Sequence, residues 1–374
     1  MLSLTGRSLQ AHSDGKILDG YAADRPRGPM NAPQARALAE NPSHLEQLCT
    51  VFALGSALEA PARVSGGFHH RMWRLDTPAG RYAVKQIAAD LDLRDMATVR
   101  RLNATETAAR RFADSGIPAL VSLARDGQHL RVLDDSGYLV FPWTDSKARG
   151  ESEIDATHAR TVARILARMH RADIRVPGLG RPVTWPLTTA RVDELLARAQ
   201  KHNARDAGYL LQRRNDILTV VQRQDAAGTV LAQQQVVSHG DLDHKNVLWS
   251  AVGEPLVIDW ESARPLNPTY ELLLEALDWS GITANFELAP FDDFLQAYID
   301  AGGVIVGDTL PAAFDAVLGS WVEWLLFNVA RAAGVRDLRQ RALGSKLVDL
   351  SVGALLRLER NSSRITAVAA GYAT

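Results

Sequence analysis

Residues 239–246 read HGDLDHKN, inside VVSHGDLDHKNVLW (236–249), and LVIDWE (256–261) follows one short turn later. Asp, Asn and Gly favour turns because they bond to nearby backbone and tolerate positive φ. That explains why they sit in a loop, but not why a further Asp stands at 259. The segments NVLW and LVIDW flank the turn SAVGEP and read as a hairpin, with Asn246 at the start of one strand and Asp259 near the end of the other. A hairpin of this length brings the two ends side by side. Two oxygen donors so placed suit Mg²⁺, which takes one or two carboxylates together with phosphate oxygens and water. Asp241, five residues before Asn246 in the same loop, is then left to address a substrate.

His-x-Asp, four residues, Asn, and later an apolar residue followed by Asp is a phosphoryl-transfer layout, with Asp241 catalytic and Asn246 and Asp259 on the metal. Such chemistry also needs a cation on the non-reacting phosphates. RYAVKQI (81–87) supplies Lys85 within an apolar strand. Lysine is rarely buried without a partner, and the expected partner is Glu106 of the following helix.

The surrounding chain predicts an α+β fold. Period-two segments end at Ser65 and run near 70–75 and 81–87, with Gly66-Gly67 and DTPAG as turns. An amphipathic helix through Glu106 closes at Gly116, with Pro118 beyond. Further strands are expected near 119–123 and 130–134, followed by GYLVFPWTD. After Trp143 the pattern turns helical: DATHARTVARILARMHRADI, a long stretch over 186–224, and helices from 268 onward broken at 290, 302–303 and 311. Residues 31–141 thus form a helix plus a small antiparallel lobe, 142–148 a hinge, and 149–374 a larger helical lobe carrying the catalytic loop and substrate site. The polar, aperiodic residues 1–30 are expected to be disordered, and Met30 is a second possible start of translation.

Composition narrows the class. With 46% apolar and 23% charged residues, the chain is ordinary globular protein. A single cysteine, Cys49, excludes an internal disulfide and fits a reducing compartment. No unbroken apolar run is long enough to span a bilayer, and the first residues lack a signal-peptide core. A cytoplasmic protein is expected, with neither membrane nor nucleic acid as partner. Charge is unevenly spread: residues 231–330 hold 15 acidic and 2 basic residues. A cleft of one sign concentrates ligand of the other, which predicts a cationic acceptor met by Asp243, Glu261, Glu275, Asp278 and Glu323. Glu271, Glu275 and Asp278 recur at i, i+4 and i+7 and share one helix face. Trp260, Trp279, Trp321 and Trp324 are candidates to stack on a sugar, against a packing role.

Together HGDLDHKN, VIDWE with NPTYELL, YAVKQI, the Glu106 helix ending ADSGIP, and ARMHRAD resemble the aminoglycoside phosphotransferase and choline kinase family of protein-kinase-like enzymes, over roughly 60–330. The resemblance implies a two-lobed kinase fold with ATP or GTP between the lobes. Lys85, positioned by Glu106, would hold the α- and β-phosphates, Gly66 and Gly67 would cover them, and the backbone of the connector at Phe141 and Trp143 would bond the base. It implies transfer to a hydroxyl of a cationic small molecule, an aminoglycoside-type antibiotic first. A metabolic kinase for choline, a sugar or an amino alcohol, or a nucleotide-binding pseudokinase, are the alternatives. The family loop often reads HGDLHPGN, so Asp243, His244 and Lys245 are departures. Protein kinases carry Lys where Asp243 stands and Gly where Glu261 stands, which disfavours a protein substrate.

Overall fold

The computed structural model describes residues 37–64, 70–88, 91–180, 187–204, 206–334 and 338–374. The expectations for residues 1–30 and for the Gly66-Gly67 turn lie outside them.

Alternating burial organises the first lobe. Strands β1 (Ala62–Val64), β2 (Arg71–Thr77), β3 (Gly80–Gln86), β4 (Arg131–Leu133) and β5 (Ser136–Pro142) form an antiparallel sheet in the order β1-β2-β3-β5-β4. Thr77 lies opposite Gly80, so Pro78 and Ala79 make a two-residue hairpin turn. Trp73, Leu75, Val84, Tyr138 and Val140 bury one face of the sheet, together with Leu48 and Cys49 of helix α1 (Pro42–Val51). On α1, His44 bonds the Tyr138 hydroxyl at 3.0 Å and Asp134 at 3.0 Å, pinning that helix to the sheet.

Helix α2 (Met96–Asp114) begins at Asp95, whose carboxylate accepts from the amides of Ala97 and Thr98. Its first half packs in the small lobe through Leu102. Its second half joins the large core through Ala104, Ala108, Ala109 and Phe112. One helix therefore fastens the lobes together.

The segment 119–123 is not a strand of the sheet, contrary to its apolar pattern. It is a strap between the lobes: Leu123 N–H bonds Val140 O at 2.7 Å, while Leu120 N–H bonds Val257 O at 2.8 Å. Its backbone groups are satisfied on two different sheets, so neither registers it as an edge strand. The connector ends as β6 (Lys147–Ala148), which pairs with the hairpin of β8 (Val247–Trp249) and β9 (Pro255–Val257).

Helices α3 (Ala156–Arg171), α4 (Thr189–Lys201), α5 (Ala207–Gln212) and α6 (Arg214–Leu231) follow in the second lobe. The long helical stretch expected over 186–224 is three helices, with Asn203 and Asp206 at positive φ between α4 and α5 and Arg213 between α5 and α6. Strands β7 (Val236–Ser238) and β10 (Arg264–Leu266) pair antiparallel at the foot of the 239–246 loop. Helices α7 (Pro268–Trp279), α8 (Leu288–Asp300), α9 (Leu310–Ala332) and α10 (Leu338–Gly371) complete the lobe. Pro290 and Pro311 do not break helices as expected; they sit in the first turns of α8 and α9, where a missing N–H costs nothing. By length and composition α9 is apolar enough to cross a membrane, but its buried residues pack in the large core with α6, α7 and α10.

Candidate active site

The β8–β9 hairpin forms as its sequence predicts, with Val247 opposite Val257. Ile258 N–H bonds Asn246 O at 2.9 Å, extending the ladder by one rung. Asn246 and Asp259 therefore emerge together. Asp259 takes a left-handed backbone at φ 61° and ends the extended run there. Asn246, 5% exposed, donates from Nδ2 to the backbone oxygen of Asp241 at 2.8 Å and to its carboxylate at 3.1 Å. Among the described residues no donor reaches Asn246 Oδ1, and Asp259 spends only Oδ1, on Lys85 at 2.7 Å. Two hard oxygens thus remain at the paired end of one hairpin, a donor set that fits Mg²⁺ completed by phosphate and water.

Gly240 opens the loop at φ +77°. A Cβ there would meet Arg264 Nη1 at 2.3 Å and Ser262 O at 2.6 Å, so no larger residue fits. His239 is a brace: Nε2 reaches Ile258 O at 2.9 Å, its ring stands edge-on to Trp260 at 4.8 Å, and burial holds it neutral by lowering its pKa.

The acidic face of α7 has a definite partner, and it is the catalytic loop. Glu271 accepts the amide of Gly240 at 2.6 Å, Glu275 that of Leu242 at 2.9 Å, and Asp278 that of His244 at 3.3 Å. An extended loop advances about 6.6 Å every two residues, and three to four helical residues advance about 4.5–6 Å. Alternate loop amides therefore meet successive acids on one helix face. Both oxygens of Glu271 are engaged, whereas Asp278 makes both of its bonds through Oδ2. Glu271 bonds His170 Nε2 at 2.7 Å, and Asp278 bonds His244 Nδ1 at 3.0 Å. Trp279 adds an indole N–H to Leu242 O at 2.9 Å. Burial first, then the neighbouring carboxylates, raises Glu275 well above the usual range.

These contacts correct the sequence-based substrate set. Glu275 and Asp278 each spend one oxygen on the backbone of the loop. Asp243 is ion-paired to Lys245, and Glu261 to Lys85 at 2.6 Å and His70 at 2.8 Å. Glu323 bonds the side-chain amide of Gln224 at 2.9 Å; burial raises its pKa, opposed by that bond and by the nearby charge of Arg264. Trp260, Trp279 and Trp324 are core residues, with Trp260 stacked on Phe112 at 5.2 Å. Trp321 is partly exposed, and its indole nitrogen is buried without an acceptor.

The expected Lys85–Glu106 pair does not form. Lys85, 8% exposed, spends its charge on Asp259 and Glu261, and these carboxylates more than offset the burial that opposes its protonation. Glu106, 2% exposed, leaves Oε2 without a partner, and burial pushes its pKa up to about 7. The competitor that won is Glu261, one residue past Trp260, held also by His70 and, through its backbone oxygen, by Arg101 at 2.9 Å. His70 reads in the sequence as an ordinary strand residue; Glu261 could have signalled it only through a contact 191 residues away.

The connector differs from expectation as well. Trp143 N–H is spent on Arg81 O at 3.1 Å. Phe141 lies opposite Ala83, two places along, so by antiparallel alternation its backbone also faces β3. The Pro142 carbonyl between them is the one turned away from that strand.

Solved structures of similar fold bind nucleotides and small molecules. A spectinomycin phosphotransferase in complex with ADP and spectinomycin is 13% identical, with a TM-score of 0.59 over 84% of this chain and 97% of its own. An amicoumacin kinase in complex with AMP-PNP and Ca²⁺ is 14% identical, with a TM-score of 0.56 over 83% of this chain and 94% of its own. An ethanolamine kinase from Plasmodium vivax is 12% identical, with a TM-score of 0.55 over 82% of this chain and 84% of its own. No curated protein sequence matches the chain. The protein-kinase-like fold is thus shared, and residues 61–313 match the APH model of the phosphotransferase enzyme family, so the chain belongs to that family.

Proposed function

We propose that the protein transfers the terminal phosphoryl group of ATP or GTP to a hydroxyl of a small molecule bearing a single amine, an amino alcohol or amino sugar. The observation that carries the phosphotransferase reading is the meeting of Asp241, Asn246, Asp259 and Lys85 from three chain segments. Asn246 aligns the Asp241 carboxylate, which orients the acceptor hydroxyl and takes its proton late in the reaction. Lys85 supplies a fixed charge for the non-transferred phosphates. Asn246 Oδ1 and Asp259 would hold Mg²⁺, which when bound neutralises charge on the β- and γ-phosphate oxygens. Most of the rate then comes from positioning and electrostatics.

The single amine is supported by the partners of the acids. Asp243 and Glu261 are ion-paired within the protein and Glu275 and Asp278 bond the loop, so we assign Glu323, whose hydrogen bond is to the neutral Gln224 amide, to the ligand cation. The excess of acids in this half therefore does not by itself argue for a polycation. The second reading, an aminoglycoside-type acceptor, rests on the family membership. Nucleotide consumption over a panel of neutral, singly and multiply cationic alcohols separates them. Turnover of mono-amines above the rest supports the first reading. Preference for aminoglycosides, with resistance conferred on a sensitive bacterium, replaces it with the second. Nucleotide binding with no acceptor turned over indicates a pseudokinase.

A further inference from the structure

His70 has no part in the mechanism above, yet it is buried against a residue that holds Lys85. It stands one residue before β2, whose Arg71 lies opposite Gln86 of β3, so it sits at the end of the strand that carries Lys85. Both ring nitrogens are spent. Nδ1 accepts the Ala88 amide at 2.9 Å, two residues past β3, which leaves the ring hydrogen on Nε2. Nε2 donates to Glu261 Oε2 at 2.8 Å. The other oxygen, Oε1, lies 2.6 Å from the Lys85 ammonium, paired by charge without an aligned hydrogen bond. The Glu261 carboxylate therefore takes its orientation from other ties. These are His70 on the side chain and Arg101 on the backbone oxygen at 2.9 Å.

The two carboxylates on Lys85 are not equivalent. Asp259 bonds it at 2.7 Å, but Asp259 is also one of the two oxygen donors that fit Mg²⁺. Glu261 is not one of them. Glu106 leaves Oε2 without a partner and makes no pair with Lys85. Resting on the phosphotransferase reading, we propose that His70 is a positioning residue for that reaction: by orienting Glu261 it fixes the Lys85 ammonium for the non-transferred phosphates, the task expected of Glu106. The tie crosses the lobes, since His70, Ala88 and Lys85 belong to the small-lobe sheet and Glu261 follows β9. A histidine that only capped the end of β3 would need Nδ1 alone. The second bond goes to a buried carboxylate, where a hydrogen bond to a charged group is worth more than one to a neutral group.

The test uses the full chain, with MgADP binding by titration calorimetry and, independently, MgATP hydrolysis with water as acceptor. Two variants separate the ring nitrogens. His70→Asn can keep an acceptor for the Ala88 amide but falls short of Glu261. His70→Gln carries its amide nitrogen to the place of Nε2 and keeps the donor. His70→Asn should weaken MgADP binding about tenfold and lower kcat/KM for MgATP at least as much. His70→Gln should recover most of both. The loss should also vanish when Lys85 is gone: in Lys85→Met, adding His70→Asn should cost less than about twofold more. Parental affinity and kcat/KM in His70→Asn would overturn the inference. So would a loss that adds in full to that of Lys85→Met, or one that His70→Gln shares in step with a fall in melting temperature, since either marks a structural role only. A wild-type chain that neither binds MgADP nor hydrolyses MgATP overturns the phosphotransferase reading, and the inference with it.

Discussion

At the residue scale, the site is built on a few positions where one atom decides. Gly240 is one. Ala at 240 must occupy φ +77° and overlap Arg264 and the Ser262 carbonyl. Gly240→Ala should lose about 1–3 kcal/mol of stability and most activity, measured by denaturant unfolding alongside turnover. Glu106 is another. Its pKa of about 7 exceeds the ordinary 4.5, so between those pH values the folded chain holds a proton that the unfolded chain has released. Stability conferred below the lower value is therefore lost as pH rises through the window, about 3 kcal/mol in all. Glu106→Gln should match the parent near pH 5 and exceed it near pH 8 in melting temperature. Equal melting profiles for both chains would show that Glu106 is not buried as an acid.

At the element scale, the organising device is the α7 ladder under the catalytic loop. Its sequence signature was legible only in half. The i, i+4, i+7 spacing of Glu271, Glu275 and Asp278 places them on one face, but periodicity cannot say what that face meets. The partners are backbone amides, which carry no sequence signal at all. The hairpin that aligns Asn246 with Asp259 was legible because both ends lie within one short local unit. Lys85 was legible as a buried cation, but not its partners, because Asp259 and Glu261 lie 174 and more residues along the chain, Glu106 lies much closer, and only packing decides. The ladder makes a clear prediction. Glu275→Gln keeps an acceptor for the Leu242 amide and should retain near-parental stability and turnover. Glu275→Leu leaves that amide unpaired, which costs about 1–3 kcal/mol, and should slow turnover more than it weakens nucleotide binding. The comparison is made by chemical denaturation and steady-state kinetics on the same preparations.

At the scale of the whole molecule, the two lobes are joined by few but specific ties. Helix α2 belongs to both cores, the 119–123 strap bonds both sheets, and Glu261 gathers His70, Lys85 and Arg101 from the small lobe side. On the proposed function the nucleotide phosphates would lie between Lys85 and the Asn246–Asp259 end of the hairpin, so binding should stabilise the assembly as one unit. At about 100 times its Kd, MgATP should add about 2.7 kcal/mol and raise the melting temperature by several degrees. Chelating the metal should remove most of that gain, and Asn246→Ala should remove it without chelator. A shift of the same size with and without metal would place the nucleotide elsewhere.

The central claim is that the Asp241 carboxylate serves an acceptor hydroxyl beside a bound nucleotide. Product formation by Asp241→Asn, followed by mass spectrometry of the phosphorylated acceptor, tests it most directly. The amide keeps the shape of the carboxylate and an oxygen to accept from Asn246, so the loop should stand and nucleotide affinity should stay within about twofold. Turnover should fall about 100-fold or more. Parental turnover in Asp241→Asn, with the nucleotide still bound, would contradict the account.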